Sequence, residues 1–359
     1  MDDTGTYKRD AAGLLRKMIR IKSFSGGEKE RSDFLFDYLR SKGASPARYG
    51  LNIVCRTRQS GNAKPYLLLD AHIDTVLPSP EYTFDPFNPP YDSGTIFGLG
   101  SNDDGGSVAS MIHTFLYFND NREELERLGF DVMLSLTVEE ERVGENGIRI
   151  LRDHLEGVEF AIVGEPTGMK AAIGERGLLV VDAVAEGISG HAARDEGVNA
   201  LYIALDDIEK VRSFKFGKVS PKMGEVRMTV TQIQAGTQHN VIPDRCDWVI
   251  DIRPTDMYSP EEIMEILGKE LKSKLKARNL EHNSSSLPEG HPVFKALEST
   301  GMDTYISPTT SDWTRMPVPA VKIGPGESSR SHRADEFILV SEINEAIDTY
   351  IELIKKITL

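Results

Sequence analysis

Cysteine is nearly absent from this chain: Cys55 and Cys246 are the only two in 359 residues. One such pair builds neither a disulfide framework nor a CxxC metal motif, and each lies in an alternating apolar run that marks it as a packing residue. No apolar run is long enough to span a bilayer, and the opening residues carry no apolar core of the kind that directs secretion. The expectation is a cytoplasmic protein with no membrane partner. Basic charge is also in short supply, since 42 Lys and Arg against 56 Asp and Glu leave a formal net charge of −14. That balance disfavours nucleic acid, which selects a basic face. Internal repeats and long low-complexity tracts are missing as well. Gly324-Pro325-Gly326 lacks the Lys-Ser/Thr continuation of a phosphate loop, so its backbone amides suit a substrate carboxylate better, and Gly326 becomes a candidate binding residue.

What is present describes a globular chain of two domains. The length exceeds that at which a single core keeps growing, and 39% hydrophobic with 27% charged residues is ordinary for a soluble globular chain. An opening helical region carries Leu14, Leu15, Met18 and Ile19 on one face, and Phe34, Leu35, Tyr38 and Leu39 on another. Short apolar runs predict strands at Leu51 to Arg56, Tyr66 to Asp70, Phe130 to Thr137, Phe160 to Val163 and Val318 to Ile323. Helices are predicted after Gly105 and over Glu145 to Leu155. The class is α/β with a largely buried sheet. Residues 175–283 read differently: strand Leu178 to Ala185, helix Val198 to Val211, strands Glu225 to Gln234 and Cys246 to Ile252, helix Pro260 to Leu275, then a strand near Leu280. This order matches a ferredoxin-like α+β module inserted into the first domain, which leaves residues 1–174 and 284–359 as the two parts of the catalytic domain.

Five side chains of metal-ligating type stand at the ends of predicted strands or in loops: His72, Asp103, Glu141, Glu165 and His332. Two imidazoles and three carboxylates can hold a pair of zinc ions with one carboxylate shared, leaving positions for water and substrate; a structural zinc site would draw on cysteine. His72, the Glu140-Glu141 pair and Glu165 each follow a strand, and His332 lies in the loop after a fourth. In open α/β sheets the ligand crevice lies beyond the carboxyl ends of the strands, so four separate segments converge there. Two ambiguities stay open. Glu139, Glu140 and Glu141 are consecutive, which lets a base and ligand pair slip by one, and Asp104 competes with Asp103. Asp312, in Ser311-Asp312-Trp313, either faces a substrate ammonium or is an ordinary loop carboxylate. His113, His154, His239, His282 and His291 read as helix-face or loop residues.

Taken in order, the H-x-D at His72, G-L-G-x-x-D ending at Asp103, E-E at Glu140, G-E-P-T around Glu165, G-x-x-G-H ending at His191, N-x-x-P at Asn240, D-x-R ending at Arg253 and G-P-G before His332 resemble the zinc-dependent amidohydrolases. That family includes acetylornithine deacetylase, succinyl-diaminopimelate desuccinylase, aminoacylase and the glutamate-releasing carboxypeptidases. The run from Thr310 to His332 is most similar to acetylornithine deacetylase-like members. The resemblance implies two zinc ions per chain, replaceable by cobalt: His72 and Glu165 on one, Glu141 and His332 on the other, Asp103 bridging. It makes Glu140 the general base and Asp74 the acceptor of the imidazole's other N–H. His191 would reach the partner subunit's active site in a homodimer formed through the insert and bind the developing oxyanion, while Asn240 and Arg253 would hold substrate carbonyl or carboxylate. The activity implied is release of an acyl group from an N-acyl amino acid, N-acetylornithine of arginine biosynthesis first, with a di- or tripeptidase, a carboxypeptidase or a desuccinylase as alternatives. A binding protein that kept the fold without catalysis would have no need of Glu140 and His191. The chain departs from the family in lacking the usual lysine of D-M-K-G-G after Asp103, and in Arg142-Val143 where an apolar residue and glycine are usual.

Overall fold

The computed structural model describes residues 4–57, 64–194 and 196–359. They fall into two units, one of Met1–Ile173, Leu287–Tyr305 and Ser311–Leu359, the other of Gly174–Ser286 with Ile306–Thr310. The fold is thus an α/β catalytic domain interrupted by an inserted α+β unit. The second unit reaches slightly beyond 175–283 and also takes Ile306–Thr310, a segment the sequence reading left with the catalytic part.

In the first unit the strands Asp131–Thr137, Tyr66–His72, Val158–Val163 and Ala320–Lys322 are neighbours in that order and run parallel. Asn52–Arg56 pairs antiparallel on one side of this set, and Ala171–Glu175 on the other through Ala172. A continuous apolar strand needs cover on both faces, and Tyr66–His72 is buried throughout. Leu67, Leu69 and Ala71 enter one core, Tyr66 and Leu68 the other, as the two-residue period of a strand requires. Helices Gly5–Ile19, Gly105–Asp120 and Val340–Lys356 supply the first core. Gly105–Asp120 is buried from Gly105 to Phe118, as its Val108, Met111, Ile112 and Phe115 predict. Its first residue must be small, because a Cβ on Gly105 would overlap the carbonyl of Gly100.

Two expected elements differ. Only Ile148–Leu151, extended by a short 3₁₀ turn at Arg152–His154, is helical in the stretch read as a helix from Glu145. Asn146 is committed instead to Glu139, whose carboxylate accepts its N–H at 3.1 Å and its side-chain amide at 2.9 Å. The strand Tyr66–His72 runs two residues further than expected, delivering His72 itself at the strand end.

The second unit orders its antiparallel sheet Arg227–Ala235, Arg245–Arg253, Leu179–Glu186, Lys274–Ala277, with helices Ala200–Ser213 and Pro260–Glu270 on one face. This is the ferredoxin-like order. Pro260–Glu270 opens with a capping box of Ser259 and Glu262. It stops short of the expected Leu275, and the last strand comes earlier than Leu280, at Lys274–Ala277. Lys-Leu-Lys-Ala alternates polar and apolar with a period of two. The turn before it is held by buried Asp207, which accepts the N–H groups of Lys272 and Ser273. Cys55 and Cys246 are buried and unbridged, and burial pushes the Cys55 thiol up to about 12. Among the described residues no helix is long and apolar enough to cross a membrane.

Candidate metal centre

The four parallel strands point their carboxyl ends the same way, so His72, the Glu139–Glu141 turn, Glu165 and the loop after Lys322 emerge at one end of the sheet. His72 is nearly buried, with Nε2 at 3.2 Å from Asp103 Oδ1. Asp103 Oδ2 lies 3.7 Å from His332 Nε2, which in turn is 3.0 Å from Glu141 Oε2. Asp103 therefore sits between the two imidazoles. Donor atoms of His72, Asp103 and Glu141 lie within 4.8 Å of one another, as do those of His72, Glu140 and Glu165.

These spacings and this donor set fit divalent metal. Two ligand atoms on a tetrahedral zinc, with bonds of about 2.0–2.1 Å, are roughly 3.3–3.5 Å apart, close to the imidazole and carboxylate separations here. The electrostatics agree: the four carboxylates of Asp103, Glu140, Glu141 and Glu165 gather around two imidazoles, with the Lys322 ammonium near enough to favour the charged form of Glu165. Burial, aided by Glu165, Glu141 and Asp312, pushes Glu140 well up, and burial does the same to Glu165 and Glu141. His72 is held well above its usual value: burial opposes its charge, but Asp103 and Asp74 outweigh burial. His332 is pushed up to about 9 by its bond to Glu141. Such groups share protons when no metal is bound and could serve as ligands when one is.

The glutamate turn is built by Asp74 and Glu139. Asp74 Oδ1 accepts the N–H of Glu140 at 3.0 Å, Oδ2 that of Glu141 at 3.1 Å and the Ser25 hydroxyl at 2.6 Å. The structure thus gives Asp74 more than the expected role: His72 Nδ1 lies 3.1 Å from its carbonyl and 3.4 Å from its carboxylate, while the carboxylate orients both glutamates. Glu139, at φ 58, turns its side chain away to Arg142 and Asn146. Of the three glutamates, Glu140 and Glu141 are the ones aimed at the cluster. Asp104 is buried at the start of helix Gly105–Asp120, and burial pushes its carboxyl up to about 8. It caps no N–H there, and it is Asp103 that stands between the histidines.

Three candidates are held by neighbours within their own unit. Asp312 is buried, accepts Thr137 Oγ1 at 2.8 Å and lies 4.0 Å from Arg315. Gly326 is buried at φ +81 with its Cα against Asn102, where a Cβ would overlap Oδ1, so close packing requires a glycine there. Arg253, in the second unit, spends its fork on Asp251 two residues earlier on the same strand face, with Nε to Oδ1 at 2.7 Å and Nη2 to Oδ2 at 3.0 Å. In that unit Gly190–His191 pairs with Val241–Ile242, which brings His191 beside Asn240; Ala192 donates to the Asn240 carbonyl at 3.0 Å, and the exposed His191 ring accepts the Ala193 N–H at 3.1 Å.

Sequence reasoning missed the residues that hold the ligand loops. Glu336 accepts three N–H groups of the Asp103 loop, and its only sequence signal is its place four residues after His332. Arg31 is fully buried and donates to the carbonyls of Ile73 at 3.0 Å, Met18 at 3.1 Å and Ile21 at 2.7 Å, under the loop that carries Asp74. Nothing in a helical Lys-Glu-Arg-Ser run distinguishes it from a solvated arginine.

Comparison with known proteins agrees with this geometry. Residues 68–356 match the profile of peptidase family M20/M25/M40. A succinyl-diaminopimelate desuccinylase of Corynebacterium glutamicum is 27% identical over 94% of each chain. Among solved structures, a tripeptidase of Staphylococcus aureus superposes with a TM-score of 0.77 at 20% identity, covering 97% of this chain and 98% of its own. A dinuclear metal binding peptidase of Bacillus subtilis gives 0.73 at 16%, over 98% of both chains.

Proposed function

Because the chain belongs to peptidase family M20/M25/M40 and is a metal-dependent hydrolase of amide bonds, we propose that it releases the acyl group of an N-acyl amino acid with two zinc ions, N-acetylornithine being the first substrate to try. The observation that carries this reading is the gathering of His72, Asp103, Glu141, Glu165 and His332, with Glu140 among them, at one end of the sheet. Asp103 would be shared, His72 and Glu165 would complete one ion's ligands, and Glu141 and His332 the other's. When bound, the metal pair supplies Lewis acidity, polarising the scissile carbonyl and acidifying water. Glu140 takes the proton of the attacking water and returns it to the leaving amine nitrogen. Burial raises its carboxyl above the ordinary value, which favours its taking a proton. Asp74 keeps Glu140 and Glu141 at fixed spacing through their backbone N–H groups.

His191 is assigned to the developing oxyanion, in the site of a partner subunit joined through the inserted unit; Asn240, beside it, would hold the substrate carbonyl or carboxylate. Arg253 could take a carboxylate only after leaving Asp251. A desuccinylase or peptidase is the second reading, favoured by the corynebacterial relative that matches over nearly the whole chain. The test is a hydrolysis screen of the zinc-loaded protein on acetyl-, succinyl- and peptidyl-amino acids. Preference for N-acetylornithine supports the first reading, preference for a succinylated or peptidyl substrate replaces it with the second, and no hydrolysis of any class overturns both.

A further inference from the structure

The loop that carries Asp103 and the loop that carries His332 hold each other directly. Glu336 is 2% exposed, and its carboxylate accepts the N–H groups of Gly100 at 2.9 Å, Asn102 at 2.8 Å and Asp103 at 2.9 Å. Its carbonyl accepts the N–H of Gly98 at 2.9 Å. Asn102, fully buried, closes the clasp from the other side: Nδ2 donates to the Glu327 carbonyl at 3.1 Å and Ser331 Oγ at 3.3 Å, while Oδ1 accepts the Glu327 N–H at 3.0 Å. Ser331 adjoins His332, whose backbone sits at φ 59, a conformation a non-glycine residue keeps only where its surroundings enforce it.

We propose that Glu336, with Asn102, is the positioning residue of the metal centre: it fixes the shared carboxylate of Asp103 relative to the loop of His332, so that the two present themselves to metal as one unit. Three N–H donors converging on one carboxylate fix the Gly100–Asp103 backbone more tightly than any single bond would. The two oxygens divide the work, Oε1 taking Asn102 and Asp103, Oε2 taking Gly100. A glutamine cannot copy this, since either orientation of its amide sets an NH₂ against an N–H donor. The buried Arg31 guanidinium lies close enough to feel both Glu336 and Asp74, so its charge offsets the burial of the two carboxylates that orient the ligand loops.

This role rests on Asp103 being a metal ligand, and the experiment separates the two ideas. Glu336→Gln and Asn102→Asp are compared with wild type by zinc titration against a chelating dye and by thermal unfolding of the metal-free proteins. The expected result is zinc affinity 10–100-fold weaker at both sites, the range for loss of a ligand's supporting partner. The metal-free Tm should stay within roughly 3 °C of wild type. A loss of less than about fivefold in a folded variant overturns the proposal, as does an affinity loss that merely tracks a lower metal-free Tm. If Glu336→Gln does not fold, Asn102→Asp decides by the same criteria. Wild-type protein that binds no zinc overturns the metal centre and this role together; wild-type binding with unchanged variants overturns only the role.

Discussion

The cluster of the first unit and the His191 corner of the second bring titratable groups together in opposite ways. In the cluster every ligand-type side chain is within reach of another, with His72 buried, the carboxylates of Asp103, Glu140, Glu141 and Glu165 partly buried and His332 exposed, so each one's charge state is set by its neighbours. At the corner His191 is exposed, accepts one N–H from Ala193, and shows no charged partner among the described residues. The cluster is specified from within. The corner is specified by backbone pairing alone, and its chemistry must come from whatever meets it. Mutations should therefore act cooperatively in the first region and separably in the second.

The largest effect should come from Asp103→Ala. Removal of the carboxylate between the two histidines should release both ions and abolish turnover, whereas His332→Ala should release mainly one; elemental analysis of dialysed protein checks both. Two ions retained by Asp103→Ala would break the idea of a shared ligand. Next is Glu140→Ala, which should keep both ions and lower kcat by about 10²–10⁴, the scale of a lost general base. Because Glu140 also lies within ligand distance of His72 and Glu165, loss of an ion in that variant would reassign it as a ligand.

His191→Ala should cost about 10²–10³ in kcat with metal content unchanged, as for a lost oxyanion donor. If His191 acts in a partner's site, mixing this protein with Glu140→Ala should recover about a quarter of wild-type activity: half the dimers are mixed, and one site in each has both groups. Confirmed subunit exchange without recovered turnover would confine His191 to its own chain or to no catalytic part.

The smallest effect concerns metal-free stability. Glu140, Glu141, Glu165, Asp104 and Glu336 are all raised above ordinary carboxyl values, and His72 and His332 above that of imidazole. Above pH 6.5 these groups hold more protons in the folded chain than in the unfolded one, so their contribution to stability falls as pH rises, opposed near pH 6.5 by buried His113, lowered to about 4, and by His291, also lowered. The lowered groups of the same region, Asp74 and Asp103, titrate below this window and leave the sign unchanged. The metal-free Tm should drop by an amount on the order of 5 °C between pH 6.5 and 8.5, equivalent to about one extra proton. The increment from added zinc should grow over the same range. A flat metal-free profile by differential scanning calorimetry would mean that the cluster is not proton-loaded.

Much of this was legible in the residues because the strand cores are short apolar runs and the ligand-type residues stand next to them. His72, Glu165 and the glutamate turn could be placed at strand ends before any coordinates. What was hidden depends on contacts across long stretches of chain. Asp312 looks like a loop carboxylate beside a tryptophan, and only the fold shows it bonded to Thr137, 175 residues away. Glu336 carries no motif of its own, and Arg253 reads as an open fork until the strand register places Asp251 on the same face. The Glu145 to Leu155 helix failed for a related reason: local propensity there yields to the demand of Glu139 for the Asn146 N–H.

The order of the sheet also has a consequence for synthesis. The strand Ala320–Lys322 lies between Val158–Val163 and Ala171–Glu175, and the loop after it brings both His332 and Glu336. A nascent chain emerging from its N-terminus can present His72, Asp103, Glu141 and Glu165 well before it has the strand that completes the sheet or the residues that clasp the Asp103 loop. If these residues hold the metal pair as proposed, an incomplete chain would offer four of the five ligand-type side chains without His332 or the Glu336 clasp, and a truncation before residue 320 should leave a protein that captures metal loosely and hydrolyses nothing.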